Sequence, residues 1–440
     1  APRADAIFAM EKRFAEVQWT REDSGDATKT YNKMTLAQLD ANTPGLKMSP
    51  ILAKLSPKIT EVVVGQPSAI TGIAKIYAET DIAVLKDQML VNSLAAFSNV
   101  LPDSVSDTTF AFYGTTLQGT PQREPRWKRG VQLTEGTVGD EVGKAYAAKY
   151  FPPETKAAMD VLVKNVLGAM GRRIDGLSWM QPETKVKARQ KLANFTTKIG
   201  YPDRWKDYSK LKIVRGDLFG NDLRSNQWGF DDNISKLGEP IRRWEWGMLP
   251  QTVNAYANFG MNEIVFPAAI LQPPYFDPDA DPAVNYGGIG GVIGHEMAHA
   301  FDDQGAKTDA RGAQRNWWVE ADVARFKALT ARLAEQYSRY QPLPGYQVNG
   351  QMTLGENIGD LSGLNIALEA YHLSLHGVAA PVLNGFTGNQ RFFLSWAQTY
   401  RENIRDEALL ANLASDPHSP ATFRVNGVVR NMDAWYTAFD

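Results

Sequence analysis

The sequence predicts a mainly α-helical fold with a smaller β component, an α+β chain in two parts. Two observations carry this. Residues 1–235 place apolar side chains at helical spacing through most of their length. Near Pro240 the texture changes to short apolar runs broken by glycine and proline, the mark of strands and tight turns. With 440 residues, 43% of them hydrophobic, the chain can bury sizeable cores in more than one domain.

The elements follow in order. Residues 6–17 carry apolar positions at helical spacing with charges between them. Thr35 opens a capped helix through Leu36, Ala37, Gln38 and Leu39. Residues 138–150 and 153–177 are amphipathic. Residues 184–199 share that character and end at Gly200-Tyr201-Pro202, a helix stop. Residues 207–237 are polar and read as short helices and loops. Beyond Pro240, residues 252–258 and 263–266 read as two strands joined by Phe259-Gly260-Met261-Asn262. Pro267, Pro273 and Pro274 limit the second strand. Gly287, Gly288, Gly290 and Gly291 then lead into a helix and permit close backbone packing, with Gly305 as the expected C-cap.

Composition narrows the function classes. A net charge of -2 gives no hint of the basic face that nucleic-acid binding usually needs, so no nucleic-acid partner is expected. No run approaches 18 apolar residues, so no transmembrane helix is expected. The opening residues, Ala1 to Ala6, lack the apolar stretch of a signal peptide. The absence of cysteine excludes disulfides and cysteine-ligated zinc.

The helix after the glycines carries His295-Glu296-Met297-Ala298-His299, and these are two of only five histidines. Residues four apart share a helix face, so one turn presents two imidazoles to a single zinc ion. The glutamate beside the first histidine is placed to handle a proton from water. Zinc in a hydrolase takes a third protein ligand, and Glu356 in Gly355-Glu356-Asn357-Ile358-Gly359-Asp360 is the candidate. Asp360 shares its face and is placed to orient a ligand histidine through the other ring N–H. Thr353-x-x-Glu356 equally fits a capping box, in which Glu356 only caps the helix. Asp302, three residues after His299, is a second candidate for orienting a histidine. Taken without the motif, it is a solvated carboxylate near a helix end.

The other histidines carry less. His372 and His376 are four apart with no glutamate between them. On a helix from Glu356, His372 falls about 24 Å further along and points about 160° away, so the pair reads as ordinary helix residues. His418 stands alone in the loop Asp416-Pro417-His418-Ser419-Pro420.

These residues, with others in order along the chain, resemble the neprilysin family of zinc metallopeptidases, which includes the endothelin-converting enzymes and bacterial relatives. The likeness runs from Tyr31-Asn32-Lys33-Met34-Thr35-Leu36 through Leu177-Ser178-Trp179-Met180 and Ile199-Gly200-Tyr201-Pro202-Asp203. It continues through Val253-Asn254-Ala255-Tyr256, Ile270-Leu271-Gln272-Pro273-Pro274 and Asn285-Tyr286-Gly287-Gly288. The zinc motif, Gly355 to Asp360, His418-Ser419-Pro420 and Phe423-Arg424-Val425 complete it.

The resemblance implies a helical cap or chamber over residues 1–235 and a thermolysin-like zinc metallopeptidase domain over 236–440. It implies one Zn2+ per chain, held by His295, His299 and Glu356, with Glu296 as the catalytic glutamate. Asp360 and Asp302 match carboxylates that orient the histidines. Asn254 and Ala255 match an edge-strand segment that holds the substrate backbone, and an edge strand binds peptide by β-augmentation. His418 matches a histidine that stabilises the tetrahedral intermediate, and Arg424 an arginine that binds a substrate carbonyl. Ile270, Tyr275 and Val292 fall where the family lines its S1′ pocket.

The expected function is that of a zinc-dependent endopeptidase or oligopeptidase. It would take short peptides and cut on the N-terminal side of hydrophobic residues. The expected location is extracytoplasmic (periplasmic, surface-associated or secreted). The lack of cysteine fits the bacterial branch. Family members are longer ahead of Tyr31 and beyond Trp435-Tyr436, so a separate N-terminal portion of the same protein is an expected partner. Ala298 replaces the commoner Ser or Thr, and Leu361-Ser362-Gly363 replaces N-G-G; neither change touches a ligand. A thermolysin-like protease is disfavoured by Asn254-Ala255-Tyr256 and His418-Ser419-Pro420. The alternative, an inactive or fragmentary zinc- or peptide-binding protein, is disfavoured by the intact Glu296.

Overall fold

The computed structural model describes residues 2–440. It is 60% helix and 6% strand, the mainly α fold with a small β component that was expected. The chain forms two compact units. One runs to Thr137 and takes in Asp207–Arg242; the other comprises Val138–Lys206 and Arg243–Asp440. This division differs from the expected break between residues 235 and 236. Residues 138–206 fold with the motif-bearing half because their helices and one strand supply part of its core and sheet.

In the first unit, helices Pro2–Val17 and Pro67–Glu79 bury Met10, Phe14 and Ile76 in a small shared core. Thr35 caps helix Leu36–Asn42 as expected, in a reciprocal capping box with Gln38. The preceding strand, Asn32–Thr35, pairs antiparallel with Glu61–Val64. Residues 207–237 hold one 17-residue helix, Leu218–Ile234, where short pieces were expected. Asp217 supports its start by accepting a hydrogen bond from Gly220 N–H. Helix Arg126–Tyr150 loses helical geometry at Val138 (φ -134°, ψ 43°), where the chain passes into the second unit.

The second unit is built on a three-stranded sheet. Strand Glu263–Pro267 lies in the middle, parallel to Thr196–Gly200 and antiparallel to Tyr256–Asn258. All five residues of the middle strand are buried, as a run of Ile264, Val265 and Phe266 demands. The expected helix 184–199 ends at Ala193, and residues 196–200 form a strand instead. Thr196, Thr197 and Ile199 are β-branched and fit a pleated surface better than a helix. The expected strand from residue 252 starts only at Tyr256. Thr252 N–H closes a turn onto Leu249 C=O, and the Asn254 side chain accepts from Ala255 N–H.

The motif lies on helix Gly291–His299, which packs along helix Leu354–Ser374. Glycine makes this approach possible. A Cβ on Gly294 would lie 2.4 Å from Gly363 C=O, and one on Gly363 would lie 2.3 Å from His295 N. Backbone therefore touches backbone, which brings the first turn of the second helix against the histidines. Gly305 is not the C-cap: the motif helix ends at His299 with Ala300 in that position, and Gly305 opens a short 3-10 turn.

Candidate metal centre

His295, His299 and Glu356 each bring one ligand atom to a common point, all within 4.8 Å of one another. Glu356 Oε2 lies 3.2 Å from His295 Nε2 and 3.6 Å from His299 Nε2. A tetrahedral ion with bonds of roughly 2.0–2.1 Å needs ligand atoms about 3.3 Å apart, close to both spacings from Glu356 Oε2. Glu356 Oε2 thus faces the ring Nε2 atoms of both motif histidines and of His418, at 3.2, 3.6 and 3.0 Å. Burial works against the charge of Glu356, but the surrounding imidazoles of His295, His299 and His418 hold it well below the usual carboxylate range. The capping-box alternative fails, because Thr353 makes no side-chain cap at this helix. Its hydroxyl donates to Asn349 C=O and accepts from the Asn357 amide.

Asp302 and Asp360 each meet one motif histidine. His299 Nδ1 is hydrogen-bonded to Asp302 Oδ2 at 2.8 Å, and His295 Nδ1 lies 2.8 Å from Asp360 Oδ1. Each contact leaves the Nε2 atom facing the ligand set. Asp302 reaches its histidine from the turn after the helix, not from a continuing helix face. Asp360 is fully buried and takes a bidentate pair from Arg424, with Nε and Nη2 both at 2.7 Å. Burial opposes its charge, yet Arg424 and His295 bring its carboxyl down to about 2. Arg424 thus has a partner that its sequence reading did not include. Tyr400, which the sequence did not single out, donates to Asp360 and stacks under the Arg424 guanidinium at 4.8 Å.

Glu296 is buried on the same helix, and burial pushes its carboxyl up. That is the direction a proton acceptor working near neutral pH requires. His418, from a distant loop, brings Nε2 to 3.0 Å from Glu356 Oε2. Its Nδ1 and backbone N–H both bond to Asp416 Oδ1, at 2.8 and 2.9 Å. Asp416 was legible only as the D-x-H spacing of an Asx turn. Ser419 donates to Asn357 at 2.8 Å and ties this loop to the glutamate helix. His372 bonds to Asn389, and His376 lies past the end of its helix, so neither joins the centre.

A cleft of about 290 Å³ opens beside the centre, lined in part by Asn254, Tyr400, Leu409, Asn412, His418 and Arg424. Asn254 and Ala255 stand just before the edge strand Tyr256–Asn258. Ile270, Tyr275 and Val292 are not in the lining of that cleft. Ile270 is buried, while Tyr275 and Val292 are partly buried against the same core.

Residues 254–440 and 1–202 match the two descriptions of peptidase family M13. The chain belongs to peptidase family M13. Among M13 proteins it is 48% identical to the zinc metalloprotease Zmp1 of Mycobacterium tuberculosis, solved in complex with an inhibitor. That match covers 100% of this chain and 68% of the other, with a TM-score of 0.97. The structure of PepO from Lactobacillus rhamnosis is 29% identical, at a TM-score of 0.91, over 100% of this chain and 68% of PepO. The endothelin-converting enzyme homolog of Locusta migratoria is 33% identical over 99% of this chain. The chain spans 62% of the length of that relative.

Gly359 faces the centre of this M13 chain. A Cβ there would lie 2.8 Å from His295 Cε1 and Nδ1 and 3.2 Å from His299 Cε1. Gly359→Ala is therefore expected to destabilise the metal-free chain by about 1–3 kcal/mol through overpacking. Urea unfolding with an unchanged midpoint would argue that the rings have room to move.

Proposed function

We propose that this chain is a zinc-dependent endopeptidase or oligopeptidase that hydrolyses short peptides. One observation carries the reading: a buried glutamate, Glu296, stands on the helix that supplies two histidines of a His-His-Glu set spaced for a tetrahedral ion. Among the described residues, no helix is long and apolar enough to cross a membrane. We place its action outside the cytoplasm, in the bacterial branch of the family, supported by higher identity to the mycobacterial enzyme than to the locust one.

His295, His299 and Glu356 would hold a zinc ion, which would supply Lewis acidity, the chemistry that polarises a carbonyl and lowers the pKa of water from about 15.7 toward 7. Glu296 accepts a proton from water as its oxygen attacks the scissile carbonyl carbon. The same carboxyl then gives that proton to the amine nitrogen as the C–N bond breaks. His418, steadied by Asp416, offers Nε2 to the oxyanion. Asp302 and Asp360 hold the histidine rings in place. Arg424 keeps Asp360 charged and, from the wall of the cleft, binds a substrate carbonyl. The edge beside Asn254 and Ala255 pairs with the peptide backbone and gives affinity independent of sequence.

Substrate choice follows from Ile270, Tyr275 and Val292, which we assign to the S1′ pocket. Burying a whole Leu or Phe side chain is worth about 1.5–3 kcal/mol, enough to rank peptides without excluding the rest. Digestion of a mixed peptide library is expected to give cuts mainly before hydrophobic residues. A majority of cuts before charged residues would refute the pocket. We assign the first helical unit, which runs to Thr137 and takes in Asp207–Arg242, to a cap that favours short peptides, so rapid digestion of an intact folded protein would refute that role. A chain that holds zinc and cuts no peptide would favour the inactive, zinc- or peptide-binding alternative.

A further inference from the structure

Lys191 is 1% exposed, near the end of helix Pro182–Ala193. It shares the buried face of that helix with Thr184, Ala188 and Leu192, and a buried lysine is costly unless its charge is met. Here it is met by backbone. Nζ donates to Ala300 C=O at 2.7 Å, Gly305 C=O at 2.7 Å and Thr308 C=O at 2.5 Å. An ammonium has three donors, and all three are used. Ala300 is the C-cap of the motif helix, where unpaired carbonyls and the helix dipole both favour a cation. The rings of Phe301 and Trp317 flank the ammonium at 5.6 and 5.7 Å. Trp317 Nε1 donates to the same Thr308 carbonyl. Burial pulls the lysine down to about 8, against the support of Asp302 and Asp309.

The three carbonyls bracket one turn, and that turn carries Asp302. Asp302 Oδ1 accepts from Gln304 and Gly305 N–H at 2.8 and 2.7 Å, while Oδ2 meets His299 Nδ1. Gly305 is pressed against the helix end so closely that a Cβ would lie 1.8 Å from His299 C=O. No other described side chain joins these three carbonyls to one point. We infer that Lys191 is a positioning residue for the metal centre: its ammonium closes the 300–308 turn, and the closed turn aims Asp302 at His299. Lys191 touches neither ligand nor substrate and acts through Asp302. The inference rests on the zinc reading of the His-His-Glu set.

The test is a double-mutant cycle read by zinc affinity, measured for the whole 440-residue chain by competition with a chromophoric chelator. Loss of a group that supports a ligand histidine costs about 10–100-fold in affinity. Lys191→Met is expected to lose that much in the parent and under about 3-fold in an Asp302→Asn background, because the two act in series. The visible spectrum of the cobalt-substituted chain should change in Lys191→Met as it does in Asp302→Asn, which a loss of global stability alone would not produce. If Lys191→Met does not fold, Lys191→Arg, which keeps the cation and its donors, runs the same cycle with a smaller expected loss. Equal losses in both backgrounds, or an unchanged affinity in the parent, would overturn the assignment while leaving the zinc site standing. A parent chain that takes up no zinc would overturn both.

Discussion

Glu296→Gln is expected to keep the fold and the zinc content while lowering peptide turnover by about 10²–10⁴-fold, the usual worth of a positioned general acid–base. The amide is nearly the same size, so the packing around this buried position is preserved. What is lost is the ability to accept a proton. The parent carboxyl is raised by burial, which suits it to take a proton and return it in one cycle. Its neighbours His295 and His299 are committed through Nδ1 to Asp360 and Asp302, so neither can replace it. Turnover of a fluorogenic peptide, with zinc measured on the same sample, decides the matter. Turnover within a few-fold of the parent would remove Glu296 from the mechanism.

Glu356→Gln is expected to have the second large effect, on the metal rather than on the proton. Zinc affinity should fall by more than the roughly 10–100-fold that follows loss of a group hydrogen-bonded to a ligand. The carboxylate is the only anionic member of the set, and its Oε2 sits at tetrahedral spacing from both Nε2 atoms. The amide keeps the shape and gives up the charge. His372→Ala is the control: it lies on the same helix, bonds to Asn389, and should leave zinc binding unchanged. Elemental analysis after dialysis against a chelator separates the two. Glu356→Gln holding zinc as tightly as the parent would make the third ligand wrong.

The chemistry of this site was legible because its parts are local. His295 and His299 are joined by one helical turn, and Glu356 and Asp360 by another. Helical periodicity alone puts each pair on a face, whatever surrounds it. The capping box at Thr35 and the turn before Glu263 are legible for the same reason, since their partners lie within a few residues. His418 and Arg424 entered only through likeness to a family, because nothing in the His418 loop or in the helix Ala421–Val429 that carries Arg424 points by itself to a metal.

Tertiary structure decided what depends on partners distant in the chain. Residues 196–200 became a strand because Glu263–Pro267 offers them a parallel edge, and a helix-stop pattern cannot reveal a partner so far away. The same pairing draws residues 138–206 into the metal-bearing unit and sets the domain boundary. Arg424 met Asp360, and Lys191 met three carbonyls over 100 residues further on, through burial that no single-sequence pattern records. The sequence by itself determined which side chains can bind a metal and move a proton, since that follows from residue type and local spacing. Only the fold decided which of them meet, how far each is buried and what holds each in place, because those depend on packing between segments far apart in the chain.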